Sequence, residues 1–418
     1  MRTAIVRLAR LLLALGLGAA PAACGGGPNT AVTILIPWDP KTDSGEYNAF
    51  AAVINRFKQE TGIEITLQVT RGVTQQLDAD LAAGDPPDVA DLSSPGAVSQ
   101  YRGRLRPLQV SLRHYAQPWH GLAMLGTGTV YAVPVKADVQ SLIWYSTGAV
   151  RSPPASWAAL RSVSRQRGTP WCLGLASGVV SGWPGASWIA DILMSRYQVG
   201  AYKAWLHGTL AWTSSQVSSA WQEWGALMRY GAAVPGGVTG ALTTSFKQAM
   251  PSGRCAAEHG ALAATGLTST AGYSYARFPS ASGAASPAMV SGDFMGLFTD
   301  NPSARRLLAY LASKEAQALW VGQAGGDAFS ADQAVRLADY PQGVRRDIAR
   351  LLAPGASTTL CFAAGDLMAP DVSAAFSQAV LEYVNNSHSL NDLLRSLQRT
   401  QRGAGPSPVW NLACSGRS

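Results

Sequence analysis

From Val32 to Leu92 the chain alternates short β-type apolar runs with segments whose apolar residues recur at helical spacing, and this alternation restricts the architecture more than any other feature. Val32 to Pro37 is the first run. Glu46 to Thr61 follows, with Phe50, Val53, Ile54 and Phe57 on one helical face, and Thr61-Gly62 stops it. Ile63, Ile65, Leu67 and Val69 then alternate with polar residues as a half-buried strand does. A second helix is predicted from about Thr74 to Ala83, ended by Gly84 and Pro86-Pro87, and a third strand over Asp88 to Leu92. Strand, helix, strand in this order builds a parallel βαβ unit, so the fold class is α/β.

Further along, Val130 to Pro134 and Ser141 to Tyr145 are β-type runs separated by Lys136-Ala137-Asp138, an interruption too long for a tight hairpin and suited to a crossing between lobes. Pro153 to Leu160 opens a helix with Ser156 as its N-cap, and helices dominate to about Leu242. Thr270 to Pro287, rich in Ser, Gly and Ala, reads as an exposed loop; Val290 to Phe298 resumes strand-like sequence. Helical patterns return at Ser303 to Ala312, Ser373 to Val384 and Leu390 to Arg399.

The N-terminus assigns a compartment. Arg2, Arg7 and Arg10 bracket a basic region and Leu11 to Ala20 is apolar but too short for a bilayer span, so residues 1–23 read as a secretory signal. It ends in Pro21-Ala22-Ala23-Cys24-Gly25, which resembles a lipobox in which Cys24 receives diacylglycerol, with Pro21 in place of the usual leucine. The alternative is an ordinary signal cut after an Ala-x-Ala-like site, with Cys24 incidental. Residues 24–30 then form a flexible tether, and no second apolar run of ~18 residues follows. The rest is expected outside the cytoplasm, tethered to the outer face of the cell membrane.

About 390 residues beyond the signal exceed what one hydrophobic core serves, so two lobes are expected. The net charge of +8 includes the three signal arginines, which leaves +5, scattered and without a basic block suited to nucleic acid. Cys172, Cys255, Cys361 and Cys414 remain once Cys24 is set aside. None lies in a CxxC pair, and an even number in an exported chain predicts two disulfides, in any of three pairings, rather than zinc or redox chemistry. No pattern asks for a metal or cofactor.

Several segments, in order, resemble the extracellular solute-binding proteins of carbohydrate ABC transporters, especially the α-glucoside and maltose-binding type. They are Arg56 to Ile63, Ala82 to Ala90, Tyr131 to Val135, Pro153 to Leu160, Ser181-Gly182-Trp183-Pro184, Ser291-Gly292-Asp293, Gly325-Gly326 and Gly365 to Pro370. The resemblance spans nearly the whole mature chain. It implies a two-lobe periplasmic-binding-protein-like fold of type II, with lobes discontinuous in sequence, crossover strands as a hinge, and ligand between the lobes. On that basis lobe 1 is expected to comprise 31–138 and 290–331, and lobe 2 139–289 and 332–418. Pairing Cys172 with Cys255 and Cys361 with Cys414 keeps each bridge within one lobe of that fold. A monomer, an ABC permease as partner and a sugar or short oligosaccharide as ligand are implied in the same way.

A sugar offers hydroxyls and aliphatic faces, so its site needs carboxylates or amides beside aromatic platforms. In open α/β sheets ligands gather outside the C-terminal ends of the strands. The loop after the first strand contributes Trp38, Asp39, Ser44 and Glu46, with Glu46 favoured by resemblance; Thr70 and Arg71 follow the second strand, and Ser93 and Ser94 the third. The bland alternatives are a first-turn acid for Glu46, a core ring for Trp38 and a surface cation for Arg71. Asp138 sits in the crossover. Ser177, Ser181, Trp183 and Trp188 are expected in an irregular loop of the second lobe, with Trp183 as stacking platform. Asp293 and Asp366 complete the set by resemblance, each against a capping or turn role. Leu360-Cys361-Phe362 stands where the family often carries an arginine or histidine.

Two rival functions share this sequence. A secreted glycosidase would need two carboxylates across a scissile bond, for which Glu46 and Asp138 are candidates, but no Gly-x-Ser-x-Gly elbow or HExxH helix is present. A sensor that binds ligand without transporting it would keep the same fold.

Overall fold

A computed structural model describes residues 31–281, 287–407 and 409–415. The signal segment 1–23, Cys24 and residues 25–30 of the tether lie outside them. Among the described residues eleven strands run in chain order: β1 (Val32–Ile36), β2 (Ile65–Val69), β3 (Val89–Leu92), β4 (Ala132–Pro134), β5 (Asp138–Val139), β6 (Leu142–Ser146), β7 (Ala257–His259), β8 (Tyr273–Arg277), β9 (Ala288–Ser291), β10 (Phe294–Leu297) and β11 (Leu360–Phe362).

The first lobe is built on a five-stranded sheet in the order β2-β1-β3-β10-β4. β1 pairs parallel with β2 (Val32 opposite Ile65) and with β3 (Ile34 opposite Val89), and β10 enters antiparallel between β3 and β4. The helices Ser44–Thr61 and Val73–Ala83 are the crossovers expected from the sequence. Phe50, Val53, Ile54 and Phe57 are buried, as their spacing requires.

The second lobe holds the three-stranded sheet β7-β6-β8 and a helical mass in which Trp205, Trp212 and Trp221 surround Phe376. β8 falls inside the Ser-, Gly- and Ala-rich stretch expected to be loop; Tyr273 to Arg277 pair along the whole of β6 instead, and residues 282–286 of that stretch are not described. Ser156 caps the helix Trp157–Ser164 as expected, its Oγ accepting from the Ala159 amide at 3.1 Å.

A third, short sheet, β11-β9-β5, lies where the chain passes between lobes. β4 leads through Lys136 into β5 and then β6, while β9 leads through Gly292-Asp293 into β10, so the strand-like run Val290 to Phe298 is two strands in two sheets. Ser141 pins these passes: its Oγ donates to Asp191 at 2.9 Å and accepts from the Met289 amide at 2.6 Å, and the other oxygen of Asp191 meets His259 Nε2 at 2.9 Å. The stretch 337–349 reaches back over the first lobe, where Arg345 donates to the carbonyls of Val321 and Gln323 at 2.8 Å. Disulfides join Cys172 to Cys255 and Cys361 to Cys414. No helix among the described residues is long and apolar enough to cross a membrane.

Candidate ligand-binding site

β1, β2, β3 and β4 all point their C-terminal ends to one edge of the first sheet, because β4 is antiparallel to β10 and β10 to β3. Four loops therefore emerge together: 37–43, 70–72, 93–94 and 135–137. β10 begins at the same edge, which delivers Asp293. The second lobe brings Asp366, in the short helix Ala364–Leu367 after β11, and Trp183 with Phe246. The two lobes meet closely here: a Cβ on Gly96 would lie 2.8 Å from the Met368 carbonyl oxygen and 3.0 Å from that of Asp366.

The expected residues divide into two groups. Asp293 and Asp366 lie partly exposed at this junction, and neither carboxylate accepts a hydrogen bond from any described residue. Burial, then the facing charge of Asp293, raises the Asp366 carboxyl to about 8. Asp293 is raised too, by burial, with Lys136 pulling the other way. Trp183 is half-buried and meets Phe246 edge-on at 5.2 Å. Arg71, more than half exposed, donates to Asp43 at 2.8 Å.

The other group holds the walls. Asp39 folds back on its own turn, accepting from the Lys41 and Thr42 amides at 2.8 and 3.0 Å. Trp38 is buried against Phe50 and Trp320. Ser94 caps the helix Pro95–Tyr101 through the Ala97 amide. Ser181 closes a tight turn, accepting from the Ser177 amide and donating to the Gly178 carbonyl.

The segment expected to be irregular after Ser181 is the start of the helix Trp183–His207. Pro184 fits the first turn, where its missing N–H leaves no bond unmade, and Gly182 at φ 98° comes so close to Ser377 that a Cβ would meet its carbonyl oxygen at 2.1 Å. Trp188 therefore sits within the helix, buried against Trp171 and His259.

Glu46 lies deeper. Its two oxygens accept from Trp320 Nε1 at 2.7 Å and from the Asp327 amide at 3.0 Å, and Lys136 stands 3.8 Å away. Burial pushes the Glu46 carboxyl up to about 7 against the pull of Lys136. Lys136 donates to Asp327 at 2.7 Å. Burial alone would raise Asp327, but the Lys136 charge holds it below the ordinary carboxylate range; burial alone would lower Lys136, but Asp327 and Glu46 hold it well above.

Two further acids are buried nearby. Asp138 in β5 has one oxygen without a partner, and Asp91 in β3 has both. Burial holds each well above the ordinary range, with Asp293 adding to the effect on Asp91. Asp43, Asp91, Asp327, Lys136 and Lys247 were not singled out by the sequence reading as binding residues. Lys136 lay within the polar interruption noted there and Asp327 directly after Gly325-Gly326, whereas nothing around Lys247 marks it.

Carboxyl groups that accept nothing from the described protein and an aromatic edge, brought together where two lobes meet, make a surface suited to a polar solute. The chain matches the bacterial extracellular solute-binding proteins over residues 41–318 and belongs to that family. It is a binding protein, not an enzyme.

Among curated relatives it is 29% identical over 328 residues to the alpha-glucosides-binding periplasmic protein AglE of Rhizobium meliloti (strain 1021), covering 70% of each chain. It is 28% identical over 373 residues to the osmoprotective compounds-binding protein GgtB of Synechocystis sp. (strain ATCC 27184 / PCC 6803 / Kazusa), covering 82% of this chain and 87% of that one. The two-lobe fold is shared with the solute receptor AcbH, described as exclusive for β-D-galactopyranose (TM-score 0.76, 15% identity, 90% of this chain and 99% of that one). It is shared equally with a chitin oligosaccharide binding protein (TM-score 0.72, 18% identity, the same coverage).

Proposed function

We propose that this protein captures a sugar or short oligosaccharide of α-glucoside type between its lobes and delivers it to the permease of an ABC importer. The observation that carries the reading is the pair Asp293 and Asp366, partly open to solvent and accepting nothing from the described protein. The oxygens of either carboxyl group accept from sugar hydroxyls, and Asp366, raised to about 8 and so largely protonated at neutral pH, also has an O–H to donate to one. Trp183 supplies the aromatic face, and Arg71 a donor at the rim. Trp38, Asp39, Glu46, Ser94, Asp138 and Ser181 shape and brace the loops that present them. The name of one curated relative, an alpha-glucosides-binding protein, supports this class of ligand.

We draw the lobes as 31–138 with 290–331, and 139–289 with 332–418, the stretch 337–349 of the latter lying over the first lobe. Cys24 carries the lipid that tethers the monomer to the outer face of the cell membrane. Mass spectrometry of the N-terminal peptide of membrane-extracted protein should find diacylglycerol on Cys24; a chain starting at an unmodified residue would remove the anchor.

Calorimetry of the mature protein against mono-, di- and trisaccharides tests the binding reading. Saturable binding is expected, with the sugar recovered unchanged. Trp183→Ala should weaken it by about 1 to 3 kcal/mol, the scale of a lost aromatic platform. Wild-type affinity in Trp183→Ala and in Asp366→Asn would remove the site.

A further inference from the structure

Asp43 occupies the N-cap position of the helix Ser44–Thr61 without capping it: no amide of the first turn donates to its side chain. An aspartate at an N-cap ordinarily accepts from the second or third helical amide. Here the carboxylate, 1% exposed, faces the other way. One oxygen accepts from Arg71, on the loop after β2, at 2.8 Å; the other meets Lys247 Nζ.

Lys247 belongs to the opposite lobe and its backbone is fixed there. Ala176 and Ser245 are bridged, a Cβ on Gly174 would be 2.5 Å from the Ser245 carbonyl oxygen, and one on Gly266 would be 2.0 Å from that of Lys247. Asp43 is the only acceptor that Lys247 reaches among the described residues. The ion pair therefore joins the two lobes where they meet, with the Lys247 backbone held in its own lobe and Asp43 held by Arg71 in the other.

We propose that Asp43 and Lys247 form an interlobe latch, with Arg71 holding the Asp43 half in place, and that this latch sets the fraction of empty protein that is closed. The arrangement is asymmetric. When the lobes part, Asp43 keeps Arg71, while Lys247 gives up its one partner and returns to water. Opening then needs no rearrangement on the first lobe, and reclosure finds the carboxylate already aimed. Burial lowers the ammonium pKa of Lys247, with the charges of Asp327 and Asp293 pulling the other way.

Small-angle scattering of the ligand-free mature protein tests the latch and uses no sugar, so its failure leaves the reading of the ligand standing. Raising NaCl from about 0.02 M to about 1 M should expand the wild type, since the Debye length contracts to about 3 Å. Asp43→Asn, Lys247→Met and the double variant should each expand the low-salt protein by the same amount, a roughly tenfold fall in the closed-to-open ratio, and should lose the salt response. Circular dichroism checks that each variant folds; should one not fold, the salt series on the wild type decides. An unchanged radius of gyration across that series, a salt response kept in Lys247→Met, or additive effects in the double variant would each overturn the proposal.

Discussion

Replacing Glu46 with alanine should destabilise the protein by an amount that depends on pH in an unusual direction. The change leaves two buried donors, Trp320 Nε1 and the Asp327 amide, without acceptors, while Lys136 keeps Asp327. Each orphaned donor costs about 1 to 3 kcal/mol. Against this stands the burial of the carboxylate, which lifts its pKa from 4.5 to about 7. The folded state therefore holds a proton that the unfolded chain releases, and wild-type stability falls as pH rises from about 4.5 to 7. At about 1.4 kcal/mol per pH unit the decline attributable to Glu46 is at most about 3 kcal/mol. The variant lacks that decline. Glu46→Ala should thus cost about 2 to 6 kcal/mol at pH 4.5 and distinctly less at pH 8. Urea unfolding of both proteins at about half-unit pH intervals measures the difference. An equal loss at both ends of the range would refute the reasoning, and so would a loss that grows with pH.

Asp366→Asn should flatten the pH dependence of stability between about pH 4 and pH 8, because the raised carboxyl loses stability as pH climbs through that window and an amide does not titrate; thermal melts with parallel slopes for variant and wild type would contradict this. Removing the Cys172–Cys255 bridge with paired alanines, across a separation of 83 residues, should lower stability by about 4 kcal/mol in denaturant titrations, and a loss below about 1 kcal/mol would show that the unfolded chain is not constrained as supposed.

The first lobe was legible because its information is local. Phe50, Val53, Ile54 and Phe57 carry their period within a dozen residues, and Gly62 and Gly84 follow the ends of their helices. β8 was not legible. Its strand character comes from pairing along β6, and the surrounding small residues read as loop. The residues that brace the site share a different obstacle. Glu46 finds Trp320 and Asp327 at separations of 274 and 281 residues, distances no periodicity window reaches. The sequence offers Glu46 as a ligand contact by resemblance, or as a first-turn acid, whereas its role as a clamp between distant segments exists only in three dimensions. Trp183 was singled out, but the glycine and proline beside it were read as breaking regular structure. Gly182 instead permits a close approach to Ser377, and Pro184 starts a helix.

The short sheet β11-β9-β5 joins its passes edge to edge, so they behave as one ribbon rather than as independent strings. A ribbon can twist along its length, but its members cannot slide past one another without breaking the rungs between them. Motion of one half of the molecule relative to the other is thereby reduced to a swing, like a cover turning on a bound spine. On the proposed function, such a swing is expected to bring the same residues of the two halves together at each closure.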